Sequence, residues 1–210
     1  MRSNEERLTD MFFSVVRMIV RFLVLVLNGT VRVENKNKLP KDSTYILVAP
    51  HRSWIDPVPL VLASAPDQFT FMAKKELFEN PMLRWLITKM NAFPIDRKNP
   101  GPSAIKTPVK ALKDKNLNVM IFPTGSRHSN DLKGGALTIA RMSGKPIVPA
   151  VFVGPYTMKD LLKRKKMIIR FGDPIYVDRK TKLTKETIEV LGNGIQNAFD
   201  QLESEVITKK

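Results

Sequence analysis

The chain has no cysteine among its 210 residues. That excludes disulfides, a thiol nucleophile and thiolate metal sites. Histidine is nearly absent as well, with two copies, His51 and His128. No His/Asp cluster has a spacing suited to a metal. No serine sits in a G-x-S-x-G elbow, so the sequence offers no obvious serine nucleophile of that kind. Ser143-Gly144-Lys145-Pro146 is not a phosphate loop, because the earlier glycine is missing and proline replaces Ser/Thr. Gly192-Asn193-Gly194 lacks the third glycine of a dinucleotide fingerprint. Zinc-finger spacing, aromatic ribonucleoprotein motifs, internal repeats and low-complexity tracts are also missing.

Acidic residues are scarce. Asp and Glu number 20 against 35 Lys and Arg, giving a formal net charge of +15 and a pI near 10.1. Such a chain seeks polyanions, either nucleic acid or anionic lipid headgroups, unless the charge is only a solvated surface. With 43% hydrophobic residues, the length fits one globular domain with a small helical extension. The expected division is a membrane-associating helical segment over 1–30 and a catalytic domain over 31–210.

The N-terminal segment points to lipid rather than nucleic acid. Residues 11–27 are strongly apolar, yet Arg17 and Arg21 interrupt them one helical turn apart. A spanning helix needs about 20 apolar residues, and each central arginine costs about 2.5–3.5 kcal/mol. The pattern suits a helix lying in the interface, apolar face down and guanidinium groups at phosphate level. The alternative is a buried core helix. It does not read as a signal peptide: Asn4-Glu5-Glu6-Arg7 precedes it and no small-residue cleavage site follows.

Further along, short apolar strands are expected at 45–49, 69–72, 92–95, 118–122, 146–152 and 167–171. Helices are expected after Asp56, Asn80, Pro102, Gly135 and Thr184, with the tail as an amphipathic helix of mixed charge. After Asn28-Gly29-Thr30 the chain reads as turn and strand, and residues 32–40 read as a loop ending in proline. This alternation argues an α/β fold, a central sheet flanked by helices. Ligands in such folds sit at the carboxyl ends of the strands. Those ends carry His51, Asp96-Arg97 and Thr124–Arg127. Gly134-Gly135 marks either a tight turn or a phosphate-binding helix start.

The most informative stretch is His51-Arg52-Ser53-Trp54-Ile55-Asp56, directly after the run Tyr45–Ala49. On a straight helix five residues rotate a side chain by roughly 140°, so His51 and Asp56 meet only across a turn. Asp56-Pro57 also suits the start of a helix. Asp56 is therefore either a cap or the carboxylate that orients an imidazole base.

Three further blocks follow: Asn91–Arg97, Phe122–Arg127 and Ile147–Phe152. In this order and spacing the four blocks resemble those of the glycerolipid acyltransferase family, in particular its bacterial 1-acyl-sn-glycerol-3-phosphate acyltransferases. The resemblance covers roughly residues 45 to 155. It implies a glycerol-3-phosphate acyltransferase-like fold with a mixed sheet. It also implies that His51 is the base and Asp56 its partner. Arg97, Gly125 and Arg127 would hold the acceptor's phosphate, and Pro149 would shape the acyl side. Lys74 matches a basic position of the family, with Lys75 beside it. Pro50, Thr124 and Ser126 depart from the family's usual Asn, Glu and Thr. The hydroxyls of Thr124 and Ser126 still suit a phosphate oxygen.

The expected reaction is direct transfer of an acyl chain from a thioester to the sn-2 hydroxyl of lysophosphatidate, with no acyl-enzyme, metal or cofactor. The acyl donor is an acyl-carrier protein or coenzyme A thioester. The expected setting is the cytoplasmic face of the cell membrane, peripheral or monotopic, on anionic lipids and without nucleic acid. The rivals are an acyltransferase with another acceptor, such as glycerol 3-phosphate or another lysophospholipid, and a non-enzymatic basic binder of membranes or nucleic acid.

Overall fold

The computed structural model describes residues 4–53, 55–96, 99–122 and 130–208. Seven strands form one sheet: β1 Val31–Glu34, β2 Ile46–Val48, β3 Phe69–Lys74, β4 Ala92–Ile95, β5 Asn118–Ile121, β6 Ile147–Val153 and β7 Met167–Phe171. Their order is β1-β7-β6-β2-β5-β3-β4. The five strands from β6 to β4 are mutually parallel. β7 runs antiparallel to β6, and β1 follows β7 in parallel. The sheet is mixed, as the resemblance implied.

β2 and β5 are buried along their whole length. That is why they read as unbroken apolar runs: a parallel strand covered on both faces has no solvent side to alternate with. Ile46 and Val48 face one core, with Leu112 of α4 (Ser103–Asp114), Leu137 of α5 (Asn130–Ser143) and Phe199 of α7 (Lys185–Thr208). Leu47 faces the other, with Phe13 of α1 (Asn4–Leu27), Leu60 of α2 (Pro57–Ala63) and Leu161 of α6 (Met158–Leu162). The fold is three layers, helix on sheet on helix.

Local signals place the helices. Asn80 accepts from the backbone of Met82 and Leu83 at 3.0 Å each and, with Pro81, starts α3 (Pro81–Lys89). Thr157 caps α6 by accepting from Asp160 N–H at 3.1 Å. Gly144, at φ 69°, ends α5 where a side chain would be strained.

Four expectations need correction. Residues 32–34, read as loop, belong to β1. A strand this short and polar has little intrinsic signal, and its place is fixed by pairing with β7. Gly134 and Gly135 form neither a turn nor a helix start, since both lie inside α5. An added Cβ at Gly134 would meet Ile188 of α7 only at 3.7 Å, ordinary contact, and one at Gly135 would meet nothing within 4 Å. The helix α6 was not foreseen. Arg17 does not point to a phosphate layer: it donates to the carbonyls of Pro66 at 2.8 Å and Asp67 at 3.4 Å and lies over Phe13. Arg21 is exposed.

One buried ion cluster fastens the edge of the sheet. Arg170 of β7, 3% exposed, donates from Nε to Glu34 of β1 at 2.7 Å and also binds Glu205 of α7. Removing one carboxylate leaves a buried cation short of partners, which costs more than the pair contributes. Glu34→Ala is expected to lower stability by about 3 kcal/mol, read as a fall in Tm of about 6–12 °C.

Candidate active site

The backbone leaving β2 turns back on itself between His51 and Asp56. Asp56 stands at the start of α2 but makes no side-chain cap to it. Its Oδ2 instead accepts the backbone N–H of Arg52 at 2.6 Å and of Ser53 at 2.7 Å. The same oxygen faces His51 Nδ1 at 3.4 Å. The geometry rules out a side-chain cap on α2 and leaves the carboxylate facing the imidazole. The carboxylate closes the 51–56 loop from inside, with its side chain 2% exposed against 36% for His51. At 3.4 Å the imidazole contact is slacker than a good hydrogen bond. The imidazole ring lies against Phe122, centroids 4.8 Å apart, at the end of the neighbouring strand β5.

The loop is also held from outside. Arg52 makes a paired bond to Glu203 of α7, at 2.5 and 2.6 Å, and reaches the hydroxyl of Tyr156 at 3.2 Å. Ser53 Oγ donates to the carbonyl of Tyr156 at 2.6 Å. The Tyr156 hydroxyl in turn donates to Phe152 O. A planar guanidinium bound in this forked manner fixes orientation as well as distance. Sequence reasoning missed this clamp. Arg52 stands beside the histidine, but nothing in the tail marks Glu203 as its partner.

Of the other expected site residues, Arg97, Thr124, Gly125, Ser126 and Arg127 lie outside the described residues, as do Trp54 and His128. Their strands place where those segments begin. β5 is β2's direct partner, with Ile121 beside Val48. β4 ends three strand spacings from β2, about 14 Å. Lys74 ends β3 with its side chain exposed. Lys75, not Lys74, engages the second block, donating to Asp96 at 2.6 Å. Pro149 lies buried within β6, beside Val48. Its carbonyl accepts from Gly172 N–H at 2.7 Å, and its ring occupies the space a side chain at 172 would need.

A cavity of about 310 Å³ lies between α1, α2, β3 and β4. Its walls include Val16, Val20, Val58, Val61, Phe71 and Ala73, and Pro57, next to Asp56, joins them. The lining is aliphatic and aromatic apart from Arg17, whose guanidinium is taken up by carbonyls. Such a lining suits an apolar ligand. Among the described residues, no group of three or more His, Asp and Glu side chains could hold a metal.

A mixed α/β sheet with a His–Asp loop at its carboxyl edge and an apolar cavity beside it suits acyl chemistry, and comparison with known proteins agrees. The family model described as Acyltransferase matches residues 30–153. The chain is 46% identical over 196 residues to a 1-acyl-sn-glycerol-3-phosphate acyltransferase of Streptococcus pneumoniae, covering 93% of this chain and 74% of that protein. It is 41% identical over 187 residues to the enzyme of the same name from Bacillus subtilis, covering 88% and 94%. The crystal structure of PlsC, the 1-acyl-sn-glycerophosphate acyltransferase of Thermotoga maritima, shares the fold. The TM-score is 0.67 over 97% of this chain and 84% of that one, at 24% identity. This chain belongs to the acyltransferase family.

The clamp yields two expectations. Arg52→Ala should lower kcat for acyl transfer about 10- to 100-fold, the scale of a misplaced reacting group, while circular dichroism stays native. Arg52's hydrogen bonds hold the Glu203 carboxyl below its usual range, against an opposing effect of burial. A carboxylate depressed in the folded state contributes stability above its unfolded value of about 4.3, and that stability is lost as pH falls through the folded value. Thermal melts should therefore show Glu203→Gln less stable than wild type near neutral pH, with the gap closing below about pH 4.

Proposed function

We propose that this chain transfers a fatty acyl group from a thioester to the sn-2 hydroxyl of 1-acyl-sn-glycerol 3-phosphate, making phosphatidate. The names of its bacterial relatives support the acceptor. The observation that carries the mechanism is the His51 imidazole facing a buried carboxylate at the sheet's carboxyl edge.

In this scheme Asp56 keeps the imidazole proton on Nδ1, leaving Nε2 to take the proton of the acceptor hydroxyl. The hydroxyl oxygen attacks the thioester carbonyl carbon, the C–S bond breaks, and the departing thiolate recovers the proton from the imidazolium. No covalent acyl-enzyme forms, and the scheme calls for no metal or cofactor. General-base help of this kind is worth about 10²–10⁴ in rate. The apolar cavity beside α2 takes an acyl chain. Arg97 and Arg127 grip the acceptor's phosphate through paired hydrogen bonds, with Gly125 and the hydroxyls of Thr124 and Ser126 beside them. The donor is the thioester of acyl-carrier protein or coenzyme A.

The reaction takes place at a membrane surface, on the cytoplasmic side. Met18, Phe22, Leu23, Leu25 and Val26 of α1 are at least 49% exposed, and Trp85 of α3 continues the surface through an edge-on contact with Phe12. An apolar face of this extent marks an interaction site. No helix among the described residues is long and apolar enough to cross a membrane, which fits a helix seated in one leaflet. A site held there avoids drawing an acyl chain into water, at about 0.8 kcal/mol per methylene.

His51→Ala should lower kcat at least about 100-fold in protein that remains folded. Near-normal turnover would sink the mechanism. Arg97→Ala and Arg127→Ala should mainly raise the acceptor KM, with Lys an imperfect substitute; equal damage to the donor KM would mean a structural role. An assay of purified protein against lysophosphatidate, glycerol 3-phosphate and other lysophospholipids, with both donors, decides the acceptor.

A further inference from the structure

The helix α6 and the loop after it form a surface that the reaction does not use. Between residues 157 and 166 lie five cations, Lys159, Lys163, Arg164, Lys165 and Lys166, against one acid, Asp160. Asp160 is taken up by Lys165 at 2.7 Å. Met158 and Leu162, one helical turn apart, are 46% and 64% exposed. Two exposed apolar side chains framed by lysines make a small amphipathic unit, apolar tips flanked by cations.

Its position joins it to α1. Arg164 donates to the carbonyl of Val26 at 3.0 Å, and Asn28 donates to the carbonyl of Lys165 at 2.8 Å. The basic loop is thus tied to the end of α1 that exposes Phe22, Leu23, Leu25 and Val26. The sheet sets the level of this contact. β6 and β7 are antiparallel, with Val153 beside Ile168, while Val48 at the end of β2 lies beside Pro149. The connection from β6 to β7 therefore projects about 13 Å beyond the end of β2, four residues at the parallel-strand rise. It stands on the same edge as the His51 loop, to which Tyr156 connects it through Ser53.

We propose that α6 and the 163–166 loop are a second membrane contact, one that takes the phosphate groups of anionic lipids. With the apolar face of α1 it seats the carboxyl edge of the sheet, and so His51, against the bilayer. The inference rests on the membrane reading of α1. Charge complementarity and continuity with α1's apolar face favour a bilayer over an acidic protein, because Met158 and Leu162 need a hydrocarbon layer to enter. Each lysine near an anionic surface is worth about fivefold in binding.

The test is co-sedimentation of the full chain with two kinds of vesicle, phosphatidylcholine alone and phosphatidylcholine mixed with phosphatidylglycerol. The variant Lys159→Gln/Lys163→Gln/Lys166→Gln keeps the two cations that brace α1 and Asp160. It should bind the anionic vesicles about 100-fold more weakly and the neutral vesicles as wild type does. Met158→Ser/Leu162→Ser should weaken binding to both. A control triple, Lys110→Gln/Lys113→Gln/Lys115→Gln on and after α4, should bind as wild type. Unchanged anionic binding by the folded first variant overturns the proposal. So does equal loss in the control, which would make it a net-charge effect. A raised KM for an acyl-carrier-protein thioester with vesicle binding intact also overturns it, and would make the loop the carrier's dock. If wild type binds neither vesicle, the membrane reading itself fails. Vesicle binding is read without turnover, so its loss is distinguishable from a failure of the acyl-transfer chemistry.

Discussion

A single carboxylate oxygen, Asp56 Oδ2, is shared by two backbone N–H groups and an imidazole nitrogen. Everything else at the site answers to that sharing. The loop is tight because one carboxylate oxygen draws the Arg52 and Ser53 amides inward through short bonds of 2.6 and 2.7 Å. His51 faces the carboxylate because the loop so formed leaves its ring between Asp56 and Phe122. A carboxylate taken this far from water is costly unless bonded; the two amides supply bonds to Oδ2, while Oδ1 is buried with no hydrogen-bond partner among the described residues. In the proposed mechanism the same carboxylate orients the imidazole and stabilises the imidazolium as it forms.

The sheet makes this loop the centre of the molecule. β2 lies between β6 and β5, so the segment after it is flanked by the connections leaving both neighbours. From one side comes Tyr156, from the other Phe122. The tail then closes the structure, with Glu203 on Arg52 and Glu205 on Arg170. One helix thereby braces both the reactive loop and the reversed edge of the sheet. The apolar cavity arises because α1 lies across α2 and α3 with its arginine turned inward, leaving aliphatic walls beside Pro57.

What could be read in advance follows from the range of each interaction. His51 and Asp56 are five residues apart, so their meeting was legible once a turn was inferred between them. The central strands were legible because burial on both faces leaves unbroken apolar runs. Of β1 only a strand start after Thr30 was legible; its run through Glu34 rests on pairing with β7, 136 residues away. The Arg52–Glu203 clamp joins residues 151 apart and had no local signature. Arg17 shows a subtler limit. Its spacing from Arg21 gave a shared helical face, but not which way that face turns, and the carbonyls of Pro66 and Asp67 decide that. Gly134 and Gly135 were misjudged because glycine inside a helix is unfavourable but tolerated, and both lie within α5.

Whether Asp56 fixes the tautomer of His51 is tested directly by nitrogen NMR. The chain has two histidines, so the His128→Gln variant leaves a single imidazole to observe. In ¹⁵N-labelled protein at a pH where that ring is neutral, the account requires the proton on Nδ1, facing Asp56, and a bare Nε2. Asp56→Asn should disturb that preference while the fold persists. A neutral ring protonated on Nε2 in the otherwise wild-type protein would contradict the account, since the nitrogen meant to receive the acceptor's proton would already carry one.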